Sequence, residues 1–195
     1  MDKQGGVGRP GLLDRFIPQP DIRKRHQITI RAPAAFVLHW ARELDIQSIP
    51  LVRAIFSLRT RLLGAKVVPR RPAGLVDEML NLGWGRLAED PERYFVAGAM
   101  CQPWQANVTF RAIDPEQFAS FAEPGLVKIA WTLEAEPLGP SVTRFATETR
   151  VVATDESARV SFRRYWWAFG TGIVLIRWLL LGAIRRQAEQ RWQRS

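Results

Sequence analysis

The sequence predicts an α+β fold: a small antiparallel sheet, two short helices after its first strand, and one long helix near the end of the chain. Three observations carry this expectation. In His26–Arg31, Ile28 and Ile30 alternate with polar neighbours, the period of a strand with one buried face. Val127, Ile129, Trp131 and Leu133 alternate in the same way. Across Pro137-Leu-Gly-Pro140 they are answered by Phe145 and Val151, the pattern of an antiparallel hairpin. From Thr154 onward, Phe162, Tyr165, Trp166, Phe169, Ile173, Ile176, Leu180 and Ile184 fall at helical spacing in one long stripe. A chain of 195 residues is long enough for one domain with a substantial core.

Taken in order, residues 1–24 are rich in glycine and proline and read as a flexible tail, with Leu12, Leu13, Phe16 and Ile17 as anchor points. They lack the apolar core of a signal peptide, so the expected location is cytoplasmic. The domain is expected over 25–192. After the strand at His26–Arg31, Pro33 opens a helix over Ala34–Leu44 with Phe36, Val37, Trp40, Ala41 and Leu44 on one face. Pro50 breaks the chain, and a second helix runs from Leu51 to Leu63 and ends at Gly64, with Arg53, Arg59 and Arg61 exposed. Residues 65–73 form a loop. Val76–Leu82 is a helical turn, and Trp84–Ala88 and Arg93–Gln102 are strands joined at Glu89-Asp90-Pro91. Val108–Ile113 is a further strand candidate, and Asp114-Pro115-Glu116 starts a short helix to Phe121. In the hairpin, Lys128, Glu134, Arg144, Glu148 and Arg150 fall on the face opposite Phe145, where they can form surface ion pairs. Thr154-Asp155-Glu156 starts the last helix, which extends to about Trp192.

The net charge is +9, and it is concentrated in two segments. Residues 159–195 hold eight arginines against Glu189, and residues 46–76 hold five arginines and Lys66 with no acid. Such excess suits an anionic surface or ligand, although arginine in place of lysine also accompanies GC-rich coding. A single cysteine, Cys101, excludes an internal disulfide and a cysteine-based zinc site. Only two histidines, His26 and His39, with no acidic motif of metal-ligand type near either, exclude a histidine-rich metal centre. No metal or cofactor is expected.

The order of strand, two helices, antiparallel strands and long helix resembles the START-like superfamily (SRPBCC, Bet v 1-like, polyketide cyclase/dehydrase-like). The residues that carry the resemblance are Ile28-Thr-Ile-Arg-Ala-Pro33 with its following helix, the hairpin Val127–Leu133 and Phe145–Val151, and Phe162-Arg-Arg-Tyr-Trp-Trp167. The resemblance implies a helix-grip fold, in which a curved antiparallel sheet wraps a long C-terminal helix around a cavity. It further implies a hydrophobic small molecule or lipid as ligand, or a cyclase- or dehydratase-like enzyme using the same cavity.

The residues expected to line such a cavity for ligand binding are Phe95 (or Tyr94), Trp131 and Phe145 from the sheet, and Tyr165, Phe169 and Ile173 from the helix. The same aromatics would equally serve as core. Glu148, Arg150, Tyr165 and Cys101 are the polar groups nearest this layer, but strand alternation turns Glu148 and Arg150 outward. Neither histidine is placed as a base, and Cys101 reads as a small core residue. No Ser-His-Asp set, phosphate loop or paired catalytic carboxylate is visible. Residues 168–184 form an apolar run broken only by Arg177, flanked by Trp166-Trp167 and Arg185-Arg186. A central arginine argues against a membrane span, and peripheral contact with an anionic membrane surface stays open. A homodimer contact is a further use for the same width. Nucleic acid is not expected, since no recognised binding motif accompanies the arginines.

Overall fold

The computed structural model describes residues 11–65 and 72–195. Five antiparallel strands form one curved sheet in the order β1-β5-β4-β3-β2. The strands are β1 (Ile22–Ile30), β2 (Gly85–Asp90), β3 (Tyr94–Cys101), β4 (Val127–Gly139) and β5 (Val142–Ala153). The helices are α1 (Ala34–Arg42), α2 (Pro50–Leu63), α3 (Leu75–Asn81) and α4 (Glu156–Trp192). This is the expected α+β helix-grip arrangement. α4 lies along one face of the sheet, with α1 beside it against β4 and β5.

Register decides which side chains meet α4. Ile28 pairs with Phe145, Phe95 with Leu133, and Ile129 with Val151. Because the side-chain period is two, these residues share the inner face with Trp131, Ala135 and Thr147. There they join Val37, Leu38, Ala41, Leu180, Leu181 and Ile184 in the principal core. Toward the start of α4 a smaller cluster gathers Val127, Val151, Ala153, Ala158 and Phe162.

Each helix has a readable start and stop. Pro50 occupies the first turn of α2, where its missing N–H costs nothing. Gly64 ends that helix at φ 65°, a left-handed conformation that suits glycine. Asp155 caps α4 by accepting from the Ala158 N–H at 2.7 Å, and its second oxygen accepts from the Gly125 N–H. These bonds hold the Asp155 carboxyl below its ordinary pKa.

Several expectations are corrected. Residues 11–24 are not a tail: Leu13, Phe16 and Ile17 are buried on the outer face of the sheet with Leu87, Val96, Phe118 and Ala130, and β1 begins at Ile22. Residues 1–10 and most of the loop expected at 65–73 lie outside the described residues. Val108–Ile113 is no strand; Arg111 alone bridges to Met100. Two prolines and the Asp114 side chain, which accepts from the Glu116 N–H, turn the following segment into successive turns rather than a helix.

The outer face is therefore a second buried layer. Gly98 makes it possible: a Cβ there would come within 2.7 Å of the Phe118 ring and 2.5 Å of Leu87 Cδ1. Lys128, expected in surface ion pairs, instead donates to the Phe118 and Ala119 carbonyls at 3.3 and 2.7 Å.

Candidate functional site

The six residues expected to line a ligand cavity fall into two groups. Phe95, Trp131 and Phe145 are buried on the inner face, in one cluster with Leu180, Leu181 and Ile184. Phe95 and Trp131 meet edge to face at 6.5 Å, and the Trp131 indole N–H donates to Thr147 Oγ1 at 2.8 Å. Tyr94, the alternative to Phe95, points to the outer face. Tyr165 and Phe169 lie in the first half of α4, 5.1 Å apart, and Tyr165 also faces Phe162 at 6.3 Å. Both, with Ile173, are half-buried. The Tyr165 hydroxyl accepts from Arg59 Nε at 3.4 Å, and Arg59 also donates to the Pro103 and Gln105 carbonyls. Arg59 is thus a strut between α2, α4 and the loop after β3 rather than a free surface charge.

Between the two groups sits Arg177. Its side chain is buried against β1 and β5, donating to the Lys24 carbonyl at 2.7 Å and to Thr149 Oγ1 at 2.6 Å. Burial pushes its pKa down to about 10. Next to it, His26 packs edge-on against Trp178 at 4.9 Å, with Nδ1 buried and without a partner. Burial first, then the charges of Arg177 and Lys24, lower the His26 pKa. The imidazole therefore stays neutral at physiological pH. The arginine that interrupts the apolar run of α4 is the residue that fastens α4 to the sheet.

Open space of ligand size lies at the end of this layer. A groove of about 780 Å³ runs between α1, the turn before α2, and the last turns of α4. Its apolar wall is Phe36, Trp40, Leu44 and Ile49; its other wall carries Arg186, Arg191 and Arg194 with Gln187 and Gln190. Phe36 meets Trp192 at 5.4 Å and Trp40 at 6.2 Å. The Arg191 guanidinium lies 3.7 Å over the Trp40 ring, a close cation–π contact. The Trp40 indole N–H is buried and has no acceptor. A buried donor without a partner costs free energy. None of the six expected residues lines this groove.

The Glu148–Arg150 pair is corrected from a surface pair to a buried one. Both side chains do leave the outer face, as alternation requires, but the N-terminal segment covers them and each is 2% exposed. Arg150 Nε donates to Glu148 Oε1 at 2.7 Å, while its Nη1 reaches the Ile17 carbonyl at 2.8 Å and Asp14 at 2.7 Å. Arg23 and Arg25 of β1 complete the carboxylate's partners at 2.9 and 3.1 Å. Burial would raise the Glu148 pKa; the hydrogen bonds from Arg150, Arg25 and Arg23 outweigh it and hold the group below its usual value. With every partner accounted for, this network fastens the N-terminal segment to the sheet and has no group free for chemistry. Cys101 is buried, and burial pushes its thiol up to about 12. A polar hollow of about 230 Å³ beside it is lined by Gln102, Gln105, Asn107, Arg111 and Glu123.

The groove combines residues that the sequence offered separately. Phe36, Trp40 and Leu44 share a helical face, and arginines recur between 185 and 194. Their pairing across 140 and more residues carries no local signal.

No family model matches the sequence, and no curated protein matches it. Among solved structures, the chain is similar to a conserved protein from Geobacillus kaustophilus at 10% identity and TM-score 0.40, over 87% of this chain and 96% of that one. It is similar to the di-domain aromatase/cyclase BexL of the BE-7585A biosynthetic pathway at 13% identity and TM-score 0.39, over 86% of this chain and 46% of that one. A third similarity, to the ZhuI aromatase/cyclase from Streptomyces sp. R1128, has 16% identity and TM-score 0.31, over 87% and 94% of the two chains.

Proposed function

We propose that the protein binds an amphipathic small molecule, an apolar or aromatic body with an anionic head, in the groove between α1 and the end of α4. The observation that carries this reading is the pairing of an aromatic wall (Phe36, Trp40) with a wall of three arginines, Arg186, Arg191 and Arg194. An apolar body would cover the aromatic wall, and a carboxylate, sulfonate or phosphate would take the guanidinium donors. Among the described residues lining the groove there is no carboxylate, imidazole, phenol or thiol side chain. Cyclase or dehydratase chemistry needs a proton donor or acceptor beside the reacting carbon, so binding rather than catalysis is the better-supported reading.

The test uses laurate and dodecanol, which share a chain and differ in the head. Isothermal titration should give one laurate site and weaker binding of dodecanol. Arg191→Ala with Arg194→Ala should weaken laurate about tenfold, the scale of a charge-assisted hydrogen bond, and leave dodecanol nearly unchanged. Equal affinity for the two compounds, or an unchanged laurate affinity in the variant, would overturn the proposal.

A further inference from the structure

α4 is long and apolar enough to cross a membrane, yet only 28% of its most apolar 18-residue stretch is buried in the fold. The sheet holds one side of it, through Arg177, Leu180, Leu181 and Ile184. Beside that contact Val160, Trp167, Leu175 and Trp178 are exposed, Trp167 at 89% and Trp178, one edge of which meets His26 of β1, at 52%. At about 100° per residue these four fall in one band along the helix. α2 carries a similar exposed stripe of Leu51, Leu58 and Leu62, the last at 64%.

The two stripes adjoin. The helices meet where Gly172 faces Ile55, with a Cβ at Gly172 lying 3.3 Å from Ile55 Cγ2, and where Arg59 bonds Tyr165. Around α4, Gly172 falls between Tyr165 and Leu175; around α2, Ile55 falls between Arg59 and the leucine stripe. Both apolar stripes therefore flank the outer side of the same seam.

The border of this face is cationic. Arg163 and Arg164 stand between Val160 and Trp167 on α4, Arg185 and Arg186 follow its apolar band, and Arg61 lies on α2 beside the leucine stripe; all are exposed. α2 has no acid. The two acids of α4 stand near its ends, Glu156 paired with Arg159 and Glu189 accepting the Arg31 N–H. From Arg164 to Arg185 the helix rises about 30 Å.

We infer that this α2–α4 face docks on an anionic lipid bilayer, with α4 lying in the plane of the interface rather than crossing it. Exposed tryptophan and leucine between arginines are what the boundary of headgroups and acyl chains accommodates. The sheet's hold on α4 through the Lys24 carbonyl and the Thr149 hydroxyl keeps Arg177 out of the lipid. A second copy of the chain is the poorer cover, because a two-fold contact would bring the same arginines against each other without acids to offset them.

Co-sedimentation with vesicles of phosphatidylcholine alone and of phosphatidylcholine mixed with phosphatidylglycerol tests this. The protein should partition onto the anionic vesicles and much less onto the neutral ones, and binding should fall as salt is raised to about 0.5 M. Trp167→Glu with Leu62→Glu, both at exposed positions, should keep the far-UV circular dichroism and the laurate affinity while lowering the partition at least about tenfold. Equal partition onto both vesicles, no partition, or an unchanged partition in the variant would overturn the inference. So would a micromolar dimer that the two substitutions dissociate, which would assign the face to a second copy.

Discussion

Replacing Glu148 by glutamine tests how the N-terminal segment is held. The carboxylate is 2% exposed and accepts from Arg150, Arg23 and Arg25 within 3.1 Å. Glutamine keeps the volume but removes the charge and one acceptor. Arg150, also 2% exposed, is then left with Asp14 and the Ile17 carbonyl. Breaking a buried pair from one side costs about 3–5 kcal/mol, because the remaining ion stays desolvated; here Arg150 loses Glu148 and keeps only the half-exposed Asp14 as counter-charge. Arg23 and Arg25 are 55% and 36% exposed and can recover water, so the lower part of that range, about 3 kcal/mol, is expected. Glu148→Leu with Arg150→Met should cost less than Glu148→Gln alone, since neither charge remains buried. The pH dependence follows from the lowered Glu148 pKa. A group depressed by folding stabilises fully above its unfolded value of about 4.3, and that stability is lost as pH falls through the lower folded value. The difference between native and Glu148→Gln proteins should therefore be constant from pH 7 to 5 and shrink below about pH 4. Asp14, lowered chiefly by its hydrogen bond from Arg150, loses its contribution in the same acid range. Urea unfolding followed by circular dichroism at both ends of this range measures it. A cost under about 1 kcal/mol at pH 7, or one independent of pH, would refute the account.

Three further outcomes are expected. Trp131→Ala should destabilise by about 3–5 kcal/mol, because it empties the centre of the inner core and strands the Thr147 hydroxyl; a change under about 1 kcal/mol would mean that the layer already holds space. Gly98→Ala should destabilise by at least about 1–3 kcal/mol, since the methyl meets the Phe118 ring; a neutral thermal shift would show that Phe118 does not cover β3. Native Cys101, with its thiol pushed up to about 12, should react with iodoacetamide at pH 8 about three orders of magnitude more slowly than the unfolded chain. Comparable rates would place it at the surface.

What the sequence determined by itself was local in origin. Alternation at Ile28 and Ile30 and along Val127–Leu133 and Phe145–Val151 specified strands and their buried faces, since the side-chain period of a strand is two. Helical spacing specified α1, α2 and α4, while Pro50, Gly64 and Asp155 marked their ends. Alternation also turned Glu148 and Arg150 away from α4 correctly. It could not show that Leu13, Phe16 and Ile17 return to bury them, because that contact joins residues 130 and more apart and depends on the space Gly98 leaves for Phe118. The same limit applies to the sites. Phe95, Trp131 and Phe145 read equally as cavity wall or as core, and only the tertiary structure shows them packed with Leu180, Leu181 and Ile184. Trp40 and Arg191 form one groove only because α1 and the end of α4 lie side by side. Arg177, an interruption in an apolar run when read along the chain, became the fastening of α4 once the Lys24 carbonyl and Thr149 hydroxyl were placed beneath it. Period and capping act within a few residues, whereas burial and the partners of a buried charge are properties of the assembled layers.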